Sequence, residues 1–168
     1  IANMLAAFLG KASDSSGVFN NLAVAEIENY RKHLNQHNVI FIDFSRVPRG
    51  CYSYEQYINR IQDGINQDLK EAYPEIRIDV PGSVWDNLLA VFENTKETFV
   101  FVIDEWDAVF HMPFISRDKQ REYLTFLKNL LKDQVYAELT YMTGVLPIAK
   151  YSSGSELNMF VEYDMNVM

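Results

Sequence analysis

The chain has 168 residues, 48% hydrophobic and 23% charged, a composition that fits one globular domain able to bury its own core. A net charge of −8 and a pI near 4.8 argue against a surface built for nucleic acid, whose phosphates call for a basic stripe. The single cysteine, Cys51, excludes an internal disulfide or a cysteine metal cluster and points to a reducing, cytoplasmic compartment, and no run reaches the ~18 apolar residues a membrane span needs.

Residues 1–9 (IANMLAAFL) read as the end of a buried helix that stops at Gly10. This opening lacks a charged leader and a clean cleavage site, which argues against a signal peptide. Because it begins on isoleucine, the chain reads as a piece of a longer polypeptide. KASDSSG (11–17) is expected to be loop, and AEIENYRKHLNQ (25–36) helix. NVIFIDF (38–44) reads as a short strand ending on Asp43, and SRVPRGC (45–51) as turn or loop. Ser53 then caps a long amphipathic helix whose inward face is Tyr54, Ile58, Ile61, Ile65 and Leu69, at spacings of three and four. PEIRIDVPG (74–82), with two prolines, is an insertion. Ser83 starts another helix, and Asp86 three residues on makes a capping box.

The stretch FVFVIDEWDAVF (99–110) follows, with a strand expected over roughly 97–103. Five unbroken apolar residues, Phe99 to Ile103, mark a strand covered on both faces. DKQREYLTFLKNLLKD (118–133) is an amphipathic helix turning Tyr123, Leu127, Leu130 and Leu131 inward. AELTYMTGV (137–145) is a third strand ending on Thr143-Gly144, and the tail from Pro147 reads as loop with a short helix. Strands alternating with helices of this length imply right-handed βαβ units, an α/β fold with a parallel sheet flanked by helices. The strand ends Asp43, Asp104 and Thr143 then share one rim, the carboxyl rim where open α/β sheets bind ligands.

A short apolar strand ending in Asp-Glu is the acidic (Walker B) motif of P-loop nucleotidases. Its aspartate holds Mg²⁺, often through water, and the next glutamate can act as general base toward the attacking water. Asp104 is thus the candidate for the metal and Glu105 for the water, while the Thr143 hydroxyl could hold that water or the γ-phosphate. Asp107 is a further metal candidate, since clustered carboxylates repel unless a cation lies near. The competing reading is that these acids are solvated residues at a strand end. Trp106 is read as a packing residue rather than an adenine platform. The phosphate-cradling pattern G-x-x-x-x-G-K-[ST] is absent. Gly10-Lys11 does not supply it, because Leu5 stands where the first glycine belongs and Ala12 where a hydroxyl belongs.

Taken together, IDEWDAVF (103–110), TYMTGVLPIAKYSSGSELNMF (140–160), HNVIFIDFS (37–45) and EYDM (162–165) resemble the bacterial AAA-ATPase-like domain family. The resemblance implies a three-layer P-loop ATPase fold that binds ATP and Mg²⁺, often followed by a PD-(D/E)XK nuclease-like domain. It implies Asp104 for Mg²⁺, Glu105 as catalytic acid and Thr143 at the sensor position, with Trp106 in place of the usual tyrosine. Met4 to Phe8 (MLAAF) match the helix after the phosphate loop, so the missing lysine is expected within about two helical turns before Ile1. The chain then reads as one partial domain over 1–168, inactive alone and lacking its first strand. In this class the absent strand lies beside the one ending at Thr143. Residues 138–143 are therefore expected to form an exposed edge, covered by self-association or by the chain's own tail. No arginine finger is assigned among Arg46, Arg49, Arg117 and Arg121.

Two other readings stand beside this one. A non-catalytic regulatory or partner-binding module would keep the scaffold without turnover. DEWD also fits the DExD box of helicases, but Met-Thr-Gly after the next strand and the acidic balance fit that reading poorly. A metal-dependent nuclease needs Glu-x-Lys on the following strand, which this segment lacks. His33, His37 and His111 are read as separate structural histidines, Cys51 as a bystander thiol, and Tyr52, Tyr54 and Tyr57 as the start of a packing face.

Overall fold

A computed structural model describes residues 1–148 and 158–163. The elements run α1 (Ala2–Leu9), α2 (Ser16–Phe19), a 3-10 turn (Ala23–Glu26), α3 (Tyr30–His33), β1 (Asn38–Asp43), α4 (Tyr54–Ala72) and α5 (Val84–Thr95). β2 (Phe99–Asp104), a second 3-10 turn (Ala108–His111), α6 (Arg117–Leu131) and β3 (Ala137–Met142) follow. The strands form one open, all-parallel sheet in the order β1-β2-β3. This is the α/β fold expected from the alternation of strand and helix patterns.

The sheet is central because its middle strand has no polar face to show. Phe99 to Ile103 are all buried, and the two sides of β2 feed two separate clusters. Val100 and Val102 pack against Ala2 and Leu9 of α1 on one face. Phe99, Phe101 and Ile103 join Leu88 and Val91 of α5 and Tyr123, Leu127 and Leu130 of α6 on the other, with Tyr57, Ile58 and Leu69 of α4. The result is three layers. Full burial of each such side chain stabilises the fold by about 1.5–3 kcal/mol. Of the helices that cover the sheet, α4 and α5 begin after the serines the sequence named, and α6 begins at Arg117, one residue before the expected 118. Ser53, Ser83 and Ser116 each accept the amide proton of the residue three positions on, namely Gln56, Asp86 and Lys119, each cap being worth about 1 kcal/mol.

Segment 25–36 departs from expectation, being a 3-10 turn and the single turn of α3 rather than one helix. It offers no continuous apolar face: Ile27 is exposed and only Tyr30 is buried. Asn35 adopts a left-handed φ of 55°, and its side-chain amide donates to the carbonyl oxygens of Ala7 and Gly10. A turn stapled to α1 thus replaces further helix. Tyr52 is another correction, exposed at 80% while Tyr54 and Tyr57 are buried, because it precedes the cap and falls off the helix's inward face. The expected short helix of the tail falls largely outside the described residues.

β3 pairs with β2 alone among the described strands, and Leu139 on it is 53% exposed. Met159 and Phe160 are partly buried against the main core and line a groove beside β3 with Leu131 and residues 137–140. The β2–β3 register slips between Phe99 and Val100, leaving Glu138 as an extra residue in β3.

The opposite, amino-terminal rim of the sheet is tied by Glu97. One oxygen of its carboxylate accepts from Lys11 Nζ at 2.9 Å, Tyr73 Oη at 2.8 Å and Asn38 Nδ2 at 2.8 Å. These bonds, that of Lys11 foremost, hold its pKa down to about 2. A carboxylate lowered in the folded state stabilises above its unfolded pKa, and that contribution is lost as pH falls through the folded value. Glu97→Gln is therefore expected to lower stability at pH 7 by up to about 1 kcal/mol, a value limited by solvent screening. The difference from wild type should shrink between pH 4.5 and pH 2, read by urea denaturation across that range. A difference that does not change with pH would show that the charge contributes nothing.

Candidate functional site

Parallel pairing puts the carboxyl ends of all three strands on one rim, with Asp43 directly opposite Asp104 in the β1–β2 register. Asp43 is fully engaged. Its Oδ1 accepts from the amide of Ser45 at 3.0 Å and its hydroxyl at 2.6 Å, while Oδ2 pairs with Arg46 Nε at 2.8 Å. Burial disfavours its charge, but the Ser45 hydrogen bonds and the Arg46 guanidinium outweigh that and hold its pKa below the usual carboxylate range. Arg46 thus serves Asp43. Arg121 pairs with Asp118 on α6 at 3.4 Å, both well exposed.

Asp104 closes β2 half-buried, and its Oδ1 accepts a hydrogen bond from the Thr143 hydroxyl. Neighbouring strand ends so far apart in sequence meet because β2 and β3 are paired up to Ile103 and Met142. Glu105 is exposed and takes a left-handed φ of 53°. Such a conformation costs a non-glycine residue on the order of 1 kcal/mol and persists where surroundings enforce it. Here the enforcement is visible on both sides: the Asp104 carbonyl accepts from Phe44 N at 3.1 Å, and Trp106 N donates to the Thr143 carbonyl at 3.0 Å. Glu105 is thrown outward at the corner between these two ties.

Trp106 is buried and packs edge-to-face on Phe110, with centroids 5.4 Å apart, a packing role rather than an exposed stacking platform. Asp107 is also buried, only 2% exposed. Its Oδ2 accepts from Leu146 N at 2.8 Å, and both oxygens share Val145 N at 3.2 Å. Sequence reasoning grouped Asp107 with the rim acids; the fold turns it inward onto backbone amides. It named Gly144 only as part of the strand end and gave it no role; the backbone there lies against Trp106 and Asp107 with no room for a Cβ. The only signal for that was a glycine placed directly after the last residue of the site.

The rim supplies carboxylate and hydroxyl oxygens, which suit a hard cation and the deprotonation of water. Among the described residues no group of three or more His, Cys, Asp or Glu is arranged to hold a metal by itself. The histidines behave differently from the expectation of separate residues. His33 Nδ1 and His37 Nε2 lie 3.0 Å apart, and His37 Nδ1 lies 3.3 Å from Glu138 Oε2. This chain of groups sits by the amino-terminal rim, away from Asp104, and ties α3 to β3. Cys51 is buried. Among the described residues no helix is long and apolar enough to cross a membrane.

A family model named AAA-ATPase_like, described as a predicted AAA-ATPase, matches residues 1–153. No curated protein matches the chain, and no solved structure does.

Proposed function

Since the chain belongs to the AAA-ATPase-like family, we propose that it carries the metal- and water-handling half of a Mg²⁺-dependent ATP hydrolase. What supports this reading most is the pairing of the Asp104 carboxylate with the Thr143 hydroxyl at the carboxyl rim, next to the outward-turned Glu105. The donor set fits the ion, because Mg²⁺ commonly takes only one or two protein carboxylates and leaves its other positions to water and phosphate. Asp104 would hold it, and when bound it neutralises charge on the phosphates. Glu105, with no such tie on its carboxylate among the described hydrogen bonds, is the group to accept a proton from the attacking water. Thr143 donates to Asp104 and so fixes the orientation of that carboxylate, keeping its own lone pairs as acceptors.

The phosphate-cradling pattern is not among these 168 residues, so the groups that hold the phosphates are proposed to lie outside them. The same absence favours a second reading, a nucleotidase scaffold serving as a binding module without turnover. Self-association would use the edge of β3 that no other described strand pairs with. ATP turnover by the full-length protein separates the first two readings. Glu105→Gln is expected to bind Mg-ATP as wild type does and to hydrolyse it about 10²–10⁴-fold more slowly. Equal turnover would remove Glu105 from the role of base, and a wild-type protein that binds no nucleotide would favour the scaffold.

A further inference from the structure

We propose that Asp107 is a positioning residue for the Asp104–Thr143 pair rather than a metal ligand. This rests on the reading of Asp104 and Thr143 given above. β-pairing sets the backbone of β3 only as far as Met142. Beyond it, Leu146 packs against the main core, and the hydrogen bonds seen for residues 143–146 all run to residues 103–107. Thr143 N donates to the Ile103 carbonyl at 2.9 Å, and the Thr143 carbonyl accepts from Trp106 N at 3.0 Å. The Thr143 hydroxyl donates to Asp104. Asp107 then takes the next amide protons, those of Val145 and Leu146.

Three features make this carboxylate the clamp. It is 2% exposed, so its oxygens are withdrawn from the rim, where Asp104 is half-buried and Glu105 is exposed. Both oxygens are engaged by amides, and Oδ2 alone accepts from both Val145 and Leu146. Between the clamp and Thr143 lies Gly144, seated directly on Trp106 and on Asp107 itself. With no side chain to hold this segment away, the amides of 145 and 146 come down onto the carboxylate. Release of those amides frees the segment two residues from Thr143, and the hydroxyl loses its fixed place on Asp104.

Full-length protein carrying Asp107→Ala, Asp107→Asn, Thr143→Ala or the Asp107→Ala/Thr143→Ala pair tests this. Asparagine keeps a carbonyl oxygen to accept the amides; alanine keeps nothing. Asp107→Ala is expected to lower kcat for Mg-ATP about 10²-fold with KM little changed, as misplacement of a supporting group does. Asp107→Asn should stay within about threefold of wild type, and the double variant should be no slower than Thr143→Ala, because the two residues act as one unit. Asp107→Asn as slow as alanine, with a raised Mg²⁺ requirement, would restore the metal-ligand role and overturn the proposal. Independent, multiplying losses in the double variant would overturn it as well. If Asp107→Ala does not fold, the asparagine result decides alone.

Amide hydrogen exchange separates failure of this inference from failure of the ATPase reading. Even in a protein without turnover, Asp107→Ala should speed exchange at Val145, Leu146 and Trp106 while Val100 and Val102 keep their protection. If Asp107→Ala does not fold, exchange is read in Asp107→Asn, which should keep wild-type protection at Val145, Leu146 and Trp106. Unchanged exchange at Trp106 in the alanine variant, or lost protection there in folded asparagine variant, would overturn the positioning role whatever the assay of ATP shows.

Discussion

Tyr123→Ala is expected to cost about 3–5 kcal/mol, the range for deleting a large aromatic side chain from a packed core. Tyr123 is fully buried on α6 and lies edge-on to Phe44, at 5.2 Å between centroids, and to Phe110, at 6.0 Å. Its hydroxyl donates to the Trp106 carbonyl at 2.6 Å. One side chain therefore joins α6, the residue after β1 and the turn that follows β2. Tyr123→Phe separates the two contributions. It keeps the ring and removes the hydrogen bond, so it should cost only about 1–2 kcal/mol. Urea denaturation of both variants reads the difference. A phenylalanine variant as unstable as the alanine one would move the contribution from ring packing to the hydroxyl, and a near-neutral alanine variant would contradict the packing described for this core.

Gly144→Ala is the second large effect, and it acts through space rather than backbone freedom. A Cβ at 144 would fall well inside van der Waals contact with Cδ1 and Nε1 of Trp106, and 2.6 Å from Oδ1 of Asp107. Neither obstacle is the loose end of an exposed chain. Trp106 is buried against Phe110, and Asp107 is held by two backbone amides. Overpacking of such a site costs about 1–3 kcal/mol, and the upper end is expected here because both neighbours would have to shift. Trp106 reports the shift directly. In a Trp85→Phe background its emission should move to longer wavelength when the ring is pushed from its seat. Unaltered emission and stability would mean that segment 143–146 has slack the packing does not show.

The two effects meet at the turn after β2, and that turn marks how far sequence reasoning reaches. Strand β2 was legible because Phe99 to Ile103 form a run with no polar interruption, and only a strand covered on both sides tolerates that. The starts of α4 and α5 were legible because Ser53 and Ser83 accept amide protons a fixed three residues away. Inward positions of α6 followed from spacing, and Tyr123, Leu127, Leu130 and Leu131 are all buried. Where periodicity was absent, the reading failed. Segment 25–36 has helix-forming composition but no apolar stripe to dock, and propensity without packing does not sustain a helix.

The roles of individual acids were less legible, because residue type and position do not reveal direction. Asp104 and Asp107 are both acids beside one strand end. One faces the rim and takes a hydroxyl, and the other turns inward to amides from a segment 38 and 39 residues away. His33 and His37, four residues apart, likewise looked separate until the turn before β1 brought their rings together.

By itself, the sequence determined the alternation of strands and helices, the fully covered middle strand and the gathering of Asp43, Asp104 and Thr143 on one rim. These follow from local rules, since burial periodicity and capping spacing act within a few residues. Tertiary structure alone decided that Thr143 rests on Asp104, that Glu105 stands outward in a left-handed corner and that Asp107 is buried against the amides of Val145 and Leu146. Those outcomes depend on the register between β2 and β3 and on the absence of a side chain at Gly144. Contacts between residues nearly forty positions apart are set only when the sheet closes around them.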